Sequence, residues 1–238
     1  MNKYNNVKVI AFPFAGGSMY SFQNFLKSNS NFVVIEYPGR GNRINESLIE
    51  DINLLVDNLM PKIIHEIELS DEYIIYGHSM GGLIGYLVCL ELKKIGIKSP
   101  LKLVVSGRNA PSIERDRKIS HLPNDEFWEE VIKIGGISEE VQSYPELMEF
   151  YMPILKADFK TIENYVYEEP EKINLPIDVF YGTCEEIKEE DIIEWKNQSL
   201  SEVTIKAMEG DHFFIYSNET FFINYFKNIN SHILKSNA

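Results

Sequence analysis

Basic residues are in short supply. Across 238 residues, 23 lysines and arginines face 36 aspartates and glutamates, a formal net charge of −13. That balance opposes an extended phosphate backbone and an anionic membrane surface, so neither nucleic acid nor a membrane is an expected partner. Long apolar runs are missing too: none approaches the roughly 18 residues of a membrane span. The opening MNKYNN is too polar and short to begin a secretory signal, and the expected location is the cytoplasm. Cysteine is scarce. Cys89 and Cys184 make neither a metal-ligand spacing nor a disulfide framework, and Cys89 falls in a helical apolar stretch that suits a reduced, buried thiol. No phosphate-cradling G-x-G-x-x-G or GK[ST] is present, nothing repeats, and no segment is low in complexity. No metal and no cofactor are expected.

What is present is enough apolar and aromatic material, 44% and 12%, to fill a sizeable core. A single domain over 1–238 is expected. Short runs rich in Val, Ile and Tyr alternate with longer amphipathic stretches, the mark of βαβ units and a mostly parallel sheet flanked by helices. Strands are predicted at 7–12, 32–37, 73–76, 101–106, 177–181 and 203–208. Ile52, Leu55, Val56, Leu59, Ile63 and Ile67 define a helix in which Pro61 marks a kink or restart. A second helix over 83–95 ends at Gly96, where a left-handed residue costs glycine least. The rhythm fails between about 112 and 172, where helical patterns follow one another with no strand. Such an insertion is a cap over the carboxyl edge of the sheet, the edge at which open α/β folds bind ligands.

The strongest local signal is EYIIYGHSMGGLIGYLVCLEL. A strand runs through Gly77-His78-Ser79-Met80-Gly81 into a helix, the pattern of a nucleophile elbow, where the residues two before and two after the serine must lack side chains. A serine hydroxyl needs a base. Of five histidines, His212 alone follows the last predicted strand on a loop, in EGDHFFIY, where the chain order of the fold places the histidine. His65 and His232 fall on helices, His121 in the cap, and His78 inside the elbow as a packing residue. A tetrahedral intermediate needs two backbone donors: Met80, after the nucleophile, and a residue of the early FPFAGGS loop, Ala15 with Phe14 as second choice. Phe14 and the cap residues Phe127, Trp128 and Met152, among Met148, Phe150, Tyr151 and Ile154, are candidates to line an acyl pocket, although their helical spacing equally suits core. Arg40, Arg43 and Arg108, on loops at strand carboxyl ends, can meet a phosphate or form structural pairs.

The chain resembles the type II thioesterases, stand-alone α/β-hydrolase editing enzymes that accompany nonribosomal peptide and polyketide synthases. The likeness rests on FPFAGGS at 12–18, YPGRGNR at 37–43, GHSMGG at 77–82, SGRNAP at 106–111, LKADFKTIENY at 155–165 and GDHFF at 210–214, in family order along nearly the whole chain. It implies release of stalled or incorrect acyl groups from the phosphopantetheine arm of acyl or peptidyl carrier proteins, by a soluble enzyme expected to be monomeric. It also implies an aspartate three residues after the glycine that ends the fifth strand. Here the chain reads Gly182, Thr183, Cys184, Glu185, Glu186 and is one residue short before Trp195, so the triad acid is Glu185, with Glu186 the second choice. Two rival readings are a carboxylesterase or lipase acting on small esters, and a binding module that kept the fold without the chemistry.

Overall fold

Val7–Phe12 (β1), Phe32–Val34 (β2), Glu72–His78 (β3), Leu103–Ser106 (β4), Ile177–Gly182 (β5) and Val203–Met208 (β6) build one sheet in the order β2-β1-β3-β4-β5-β6. Every neighbouring pair is parallel. The computed structural model describes residues 7–115, 117–137 and 139–236; MNKYNN lies outside them. β2 is shorter than the sequence predicts because pairing ends with Ile35 N–H on the Ala11 carbonyl, shortly before Pro38 turns the chain.

Alternation along each strand sorts the core into two layers. Ile10, Phe12, Tyr73 and Ile75 face the helices Ile52–Glu68 and Met80–Lys94, while Val9, Ala11, Ile74 and Tyr76 face Phe22, Phe25, Phe222 and Phe226 on the other side. In chain order the helices are α1 (Gln23–Ser28), α2 (Ile52–Glu68), α3 (Met80–Lys94), α4 (Asn124–Ile134), α5 (Glu139–Ser143), α6 (Pro145–Glu163), α7 (Glu189–Ile193), α8 (Phe214–Ser217) and α9 (Glu219–Ser236). The Asp51 carboxylate caps α2 by accepting the Asn53 and Leu54 N–H groups, each at 2.9 Å. That helix continues unbroken through Pro61, where the sequence predicts a kink or restart. Gly96 follows α3 at φ +72°, as expected of a residue that ends a helix in the left-handed region.

Between β4 and β5 the described residues contain α4, α5 and α6 and no strand. The carboxyl-terminal half of α6 is buried from Ile154 to Glu163, while its first half is largely exposed. Among the described residues no helix is long and apolar enough to cross a membrane.

Candidate active site

Ser79 stands where β3 turns into α3, and two missing side chains make that turn possible. A Cβ on Gly77 would sit 2.0 Å from the Gly81 carbonyl oxygen, and one on Gly81 would sit 2.0 Å from the carbonyl oxygen of Phe12. Ser79 itself is forced to φ +53°, ψ −116°, a conformation that L side chains rarely adopt and that surrounding structure must impose. Its own N–H on the Ser106 carbonyl at 2.8 Å, and the Gly82 N–H on the Ser79 carbonyl at 2.9 Å, impose it.

The loops after β5 and β6 bring the partners. Ser79 Oγ lies 2.9 Å from His212 Nε2, and His212 Nδ1 lies 2.9 Å from Glu185 Oε2. The Glu185 side chain is only 2% exposed. Its second oxygen accepts the Gly182 N–H at 2.7 Å, so both oxygens are committed. The exposed Glu186 takes no part in this chain of contacts. Backbone bonds lace the two loops together: Thr183 N–H to the Met208 carbonyl and Cys184 N–H to that of Gly210, both at 2.8 Å. Gly182 allows this closeness, since a Cβ there would lie 2.5 Å from the Asp211 carbonyl oxygen.

His78 lies beneath the site as a fully buried ring, 5.2 Å from the His212 ring, with Nδ1 2.9 Å from Ser106 Oγ. Burial, and then the neighbouring His212, hold it well below the ordinary histidine range, so it is neutral. On the opposite wall is the FPFAGGS turn. The Gly17 N–H is taken by the Phe14 carbonyl at 2.9 Å and the Gly16 N–H by Asp158 Oδ2 at 2.7 Å. Ala15 borders the same cavity as Ser79. Met80 opens α3, where first-turn N–H groups have no partner inside the helix.

That cavity, of about 200 Å³, is lined by Phe14, Ala15, Ser79, His212, Phe213 and Tyr216 from the sheet side. Val131, Ile134, Gly136, Tyr151, Leu155 and Phe159 line it from the α4–α6 segment. Of the residues the sequence offers as pocket lining, Phe14 and Tyr151 are here and Phe127, Trp128 and Met152 are not. Phe127, fully buried, stands edge-on behind Phe159 at 5.6 Å, and Trp128 packs against Phe127 at 6.4 Å. Met152 follows Tyr151 by one residue, which on a helix turns it about 100° away, and it packs on the core instead. The i, i+4, i+8 stripe of Tyr151, Leu155 and Phe159 is a signal the sequence did carry.

None of the three loop arginines lines the cavity. Arg40 is buried in a two-pronged pair with Asp158, at 2.5 and 2.7 Å. Arg43 binds Glu46 and Asn58 at the surface. Arg108 is buried, its carbonyl accepts Trp195 Nε1–H at 2.9 Å, and burial with the neighbouring Arg115 pushes its guanidinium down to about 9. Glu163 accepts the Ile119 and Ser120 N–H groups and so fixes the chain between β4 and α4. Cys89 is buried and Cys184 exposed, both as free thiols.

Comparison with known proteins identifies relatives along nearly the whole chain. The chain is 29% identical over 224 residues to the gramicidin S biosynthesis protein GrsT of Aneurinibacillus migulanus, covering 92% of this chain and 87% of that protein. It is 30% identical over 212 residues to the probable anguibactin biosynthesis thioesterase AngT of Vibrio anguillarum, covering 85% and 83%. The solved structure of YbtT, the type II thioesterase of the yersiniabactin NRPS/PKS pathway, superposes with a TM-score of 0.84 at 26% identity over 98% of this chain and 95% of that one. The thioesterase domain model matches residues 7–232, and the chain belongs to the thioesterase family.

Proposed function

We propose that this chain is a type II thioesterase that releases stalled or incorrect acyl groups from the phosphopantetheine arm of carrier proteins in a nonribosomal peptide or polyketide synthase. The observation that carries this reading is the run Ser79 Oγ, His212 Nε2, His212 Nδ1, Glu185 Oε2, with 2.9 Å at each step, opening into an apolar cavity. Ser79 is the nucleophile and His212 the base. The Glu185 carboxylate accepts the Nδ1–H, which leaves Nε2 free to take the serine proton, and it stabilises the imidazolium that results. The Met80 and Ala15 N–H groups receive the oxyanion. Protonated His212 then delivers its proton to the departing thiolate of the arm. A thiol, with a pKa of about 8.5, leaves more readily than an alcohol, so oxyanion stabilisation matters more than leaving-group protonation. The acyl-Ser79 ester is hydrolysed by water that His212 activates in the same way.

The enzyme works in the cytoplasm as a monomer, in one domain whose 112–172 segment forms the cap, and needs neither metal nor organic cofactor. Carrier proteins are commonly acidic and this chain carries −13, so the docking face must be locally apolar or basic.

The deciding experiment compares hydrolysis of an acyl-carrier protein with that of the same acyl group on free pantetheine, alongside fluorophosphonate labelling of Ser79. Preference for the carrier, with labelling, is expected. Equal rates on small oxygen esters would mark an ordinary esterase, and an unlabelled serine would mark a binding module.

A further inference from the structure

The FPFAGGS turn is held by two side chains from elsewhere in the fold, one on each side of a single peptide unit. On the near side the Pro13 carbonyl accepts the Tyr37 hydroxyl at 2.8 Å, in a buried contact. On the far side the Gly16 N–H donates to Asp158 at 2.7 Å. Between these pins lies the Phe14–Ala15 peptide, the one that bears the Ala15 N–H. Asp158 comes from α6, in the capping segment, 142 residues away along the chain. It is 2% exposed, and its charge is balanced by the two prongs of Arg40, which is 5% exposed. The Arg40 guanidinium also lies 5.3 Å from the centre of the Tyr37 ring, so one cation braces both pins. Leu155, three residues before Asp158 on the same helix face, presses on Gly16 so closely that a Cβ there would lie 2.6 Å from its Cδ2.

We infer that Asp158 is a positioning residue for the oxyanion hole: through the Gly16 amide it fixes the direction of the Ala15 N–H, and Arg40 holds its carboxylate in place. The arrangement ties the second oxyanion donor to α6, so the hole is complete only while the buried half of that helix is seated. Asp158 touches no reacting atom. The inference rests on the assignment of Ala15 and Met80 as donors, and the experiment separates the two.

Asp158→Asn keeps the shape but supplies one accepting oxygen for three N–H donors. The pair Arg40→Met with Asp158→Leu removes both charges, leaves neither unpaired, and so protects the fold where the single change does not. Far-UV circular dichroism and thermal unfolding identify the folded variants. In these, kcat on acyl-pantetheine should fall about 10- to 100-fold, the scale of a donor misplaced by an ångström, with KM within about twofold. An acyl trifluoromethyl ketone, which forms a tetrahedral oxyanion on the serine, should weaken by the same factor. A non-hydrolysable acyl-pantetheine amide should bind as before, and the histidine limb of the pH–rate profile should stay in place. A folded variant with wild-type kcat, or one that loses amide and ketone binding equally, overturns the inference. Should the wild type itself neither hydrolyse thioesters nor react with fluorophosphonate, the thioesterase reading falls instead.

Discussion

Replacing Glu185 by Gln tests the site most sharply, because the surroundings dictate which way the amide must point. One carboxylate oxygen accepts the Gly182 N–H at 2.7 Å and the other faces His212 Nδ1 at 2.9 Å. In the variant the amide oxygen keeps the Gly182 contact, and the NH2 group is turned toward His212. Nδ1 must then accept and Nε2 must carry the proton, so Nε2 donates toward Ser79 and cannot serve as a base. Flipping the amide restores the tautomer but leaves the Gly182 N–H facing a donor in a nearly dry site, at about 1–3 kcal/mol. Loss of the carboxylate charge removes a further ~2 kcal/mol of support for the imidazolium, the low end for a pair this close because the His212 side chain is 19% exposed. Together these give about 4 kcal/mol, close to a 10³-fold fall in kcat with little change in KM. Release of free thiol from an acyl-pantetheine, followed with a thiol reagent, measures it. Glu186→Gln, at the exposed neighbour, should stay within about threefold. A Glu185→Gln enzyme retaining a tenth of wild-type turnover, or a larger loss at Glu186, refutes the reasoning.

Ser79→Gly should abolish turnover and also raise resistance to urea by about 1 kcal/mol, since glycine accepts φ +53° without strain; unchanged or lower stability counts against a strained elbow. Gly136→Ala would place a methyl 2.1 Å from Phe213 Cζ at φ +78°, so the cap or the ring must shift, and kcat/KM should fall more for long acyl chains than for acetyl. His78 supplies a pH signature. Its folded-state value lies below its unfolded one, so the unfolded chain binds the extra proton, and the stability that neutral His78 contributes is present above about pH 6.5 and lost as pH falls. Urea titrations from pH 7 to 5 should therefore lose up to ~1.4 kcal/mol per pH unit more in wild type than in His78→Gln; parallel curves would remove His78 from that account. Hydrogen exchange should be fast from Tyr144 to Met152 and slow from Ile154 to Ile162, following the burial of α6; uniform protection along the helix would contradict a helix held only by its buried half.

The sequence was most informative where chemistry constrains neighbours in the chain. Gly77, Ser79 and Gly81 are read from one pentapeptide because the main chain passes within contact distance of itself there, and His212 is read from chain order because every strand of a parallel sheet delivers its loop to the same edge. The strands themselves were legible as short Val, Ile and Tyr runs. Because both faces of the sheet are buried the pattern does not alternate, and which of Val9 and Ile10 or Ile74 and Ile75 faces which layer was settled only by packing. Contacts between distant segments were not. Arg40 and Asp158 are 118 residues apart, and no spacing rule couples a loop arginine to a cap carboxylate, even though both lie in segments the sequence singles out. Phe127 and Trp128 look like ligand-facing aromatics because an apolar stripe has the same period whether it faces a cavity or a core. Only the packing of Phe159 in front of Phe127 decides between them.

The lacing of the Glu185 and His212 loops divides the triad mechanically. Bonds from Thr183 to Met208 and from Cys184 to Gly210 extend the β5–β6 pairing past the end of the sheet, so acid and base ride on one stiff body. Ser79 rides on another, the β3–α3 corner, with β4 lying between. Any flexing of the sheet on warming should therefore disturb the histidine–glutamate contact less than the serine–histidine gap, which spans β4. On warming, activity should decline through that one softening distance before any general melting. A ligand bonded to Ser79 and packed against the His212 wall would act as a clamp across the two bodies.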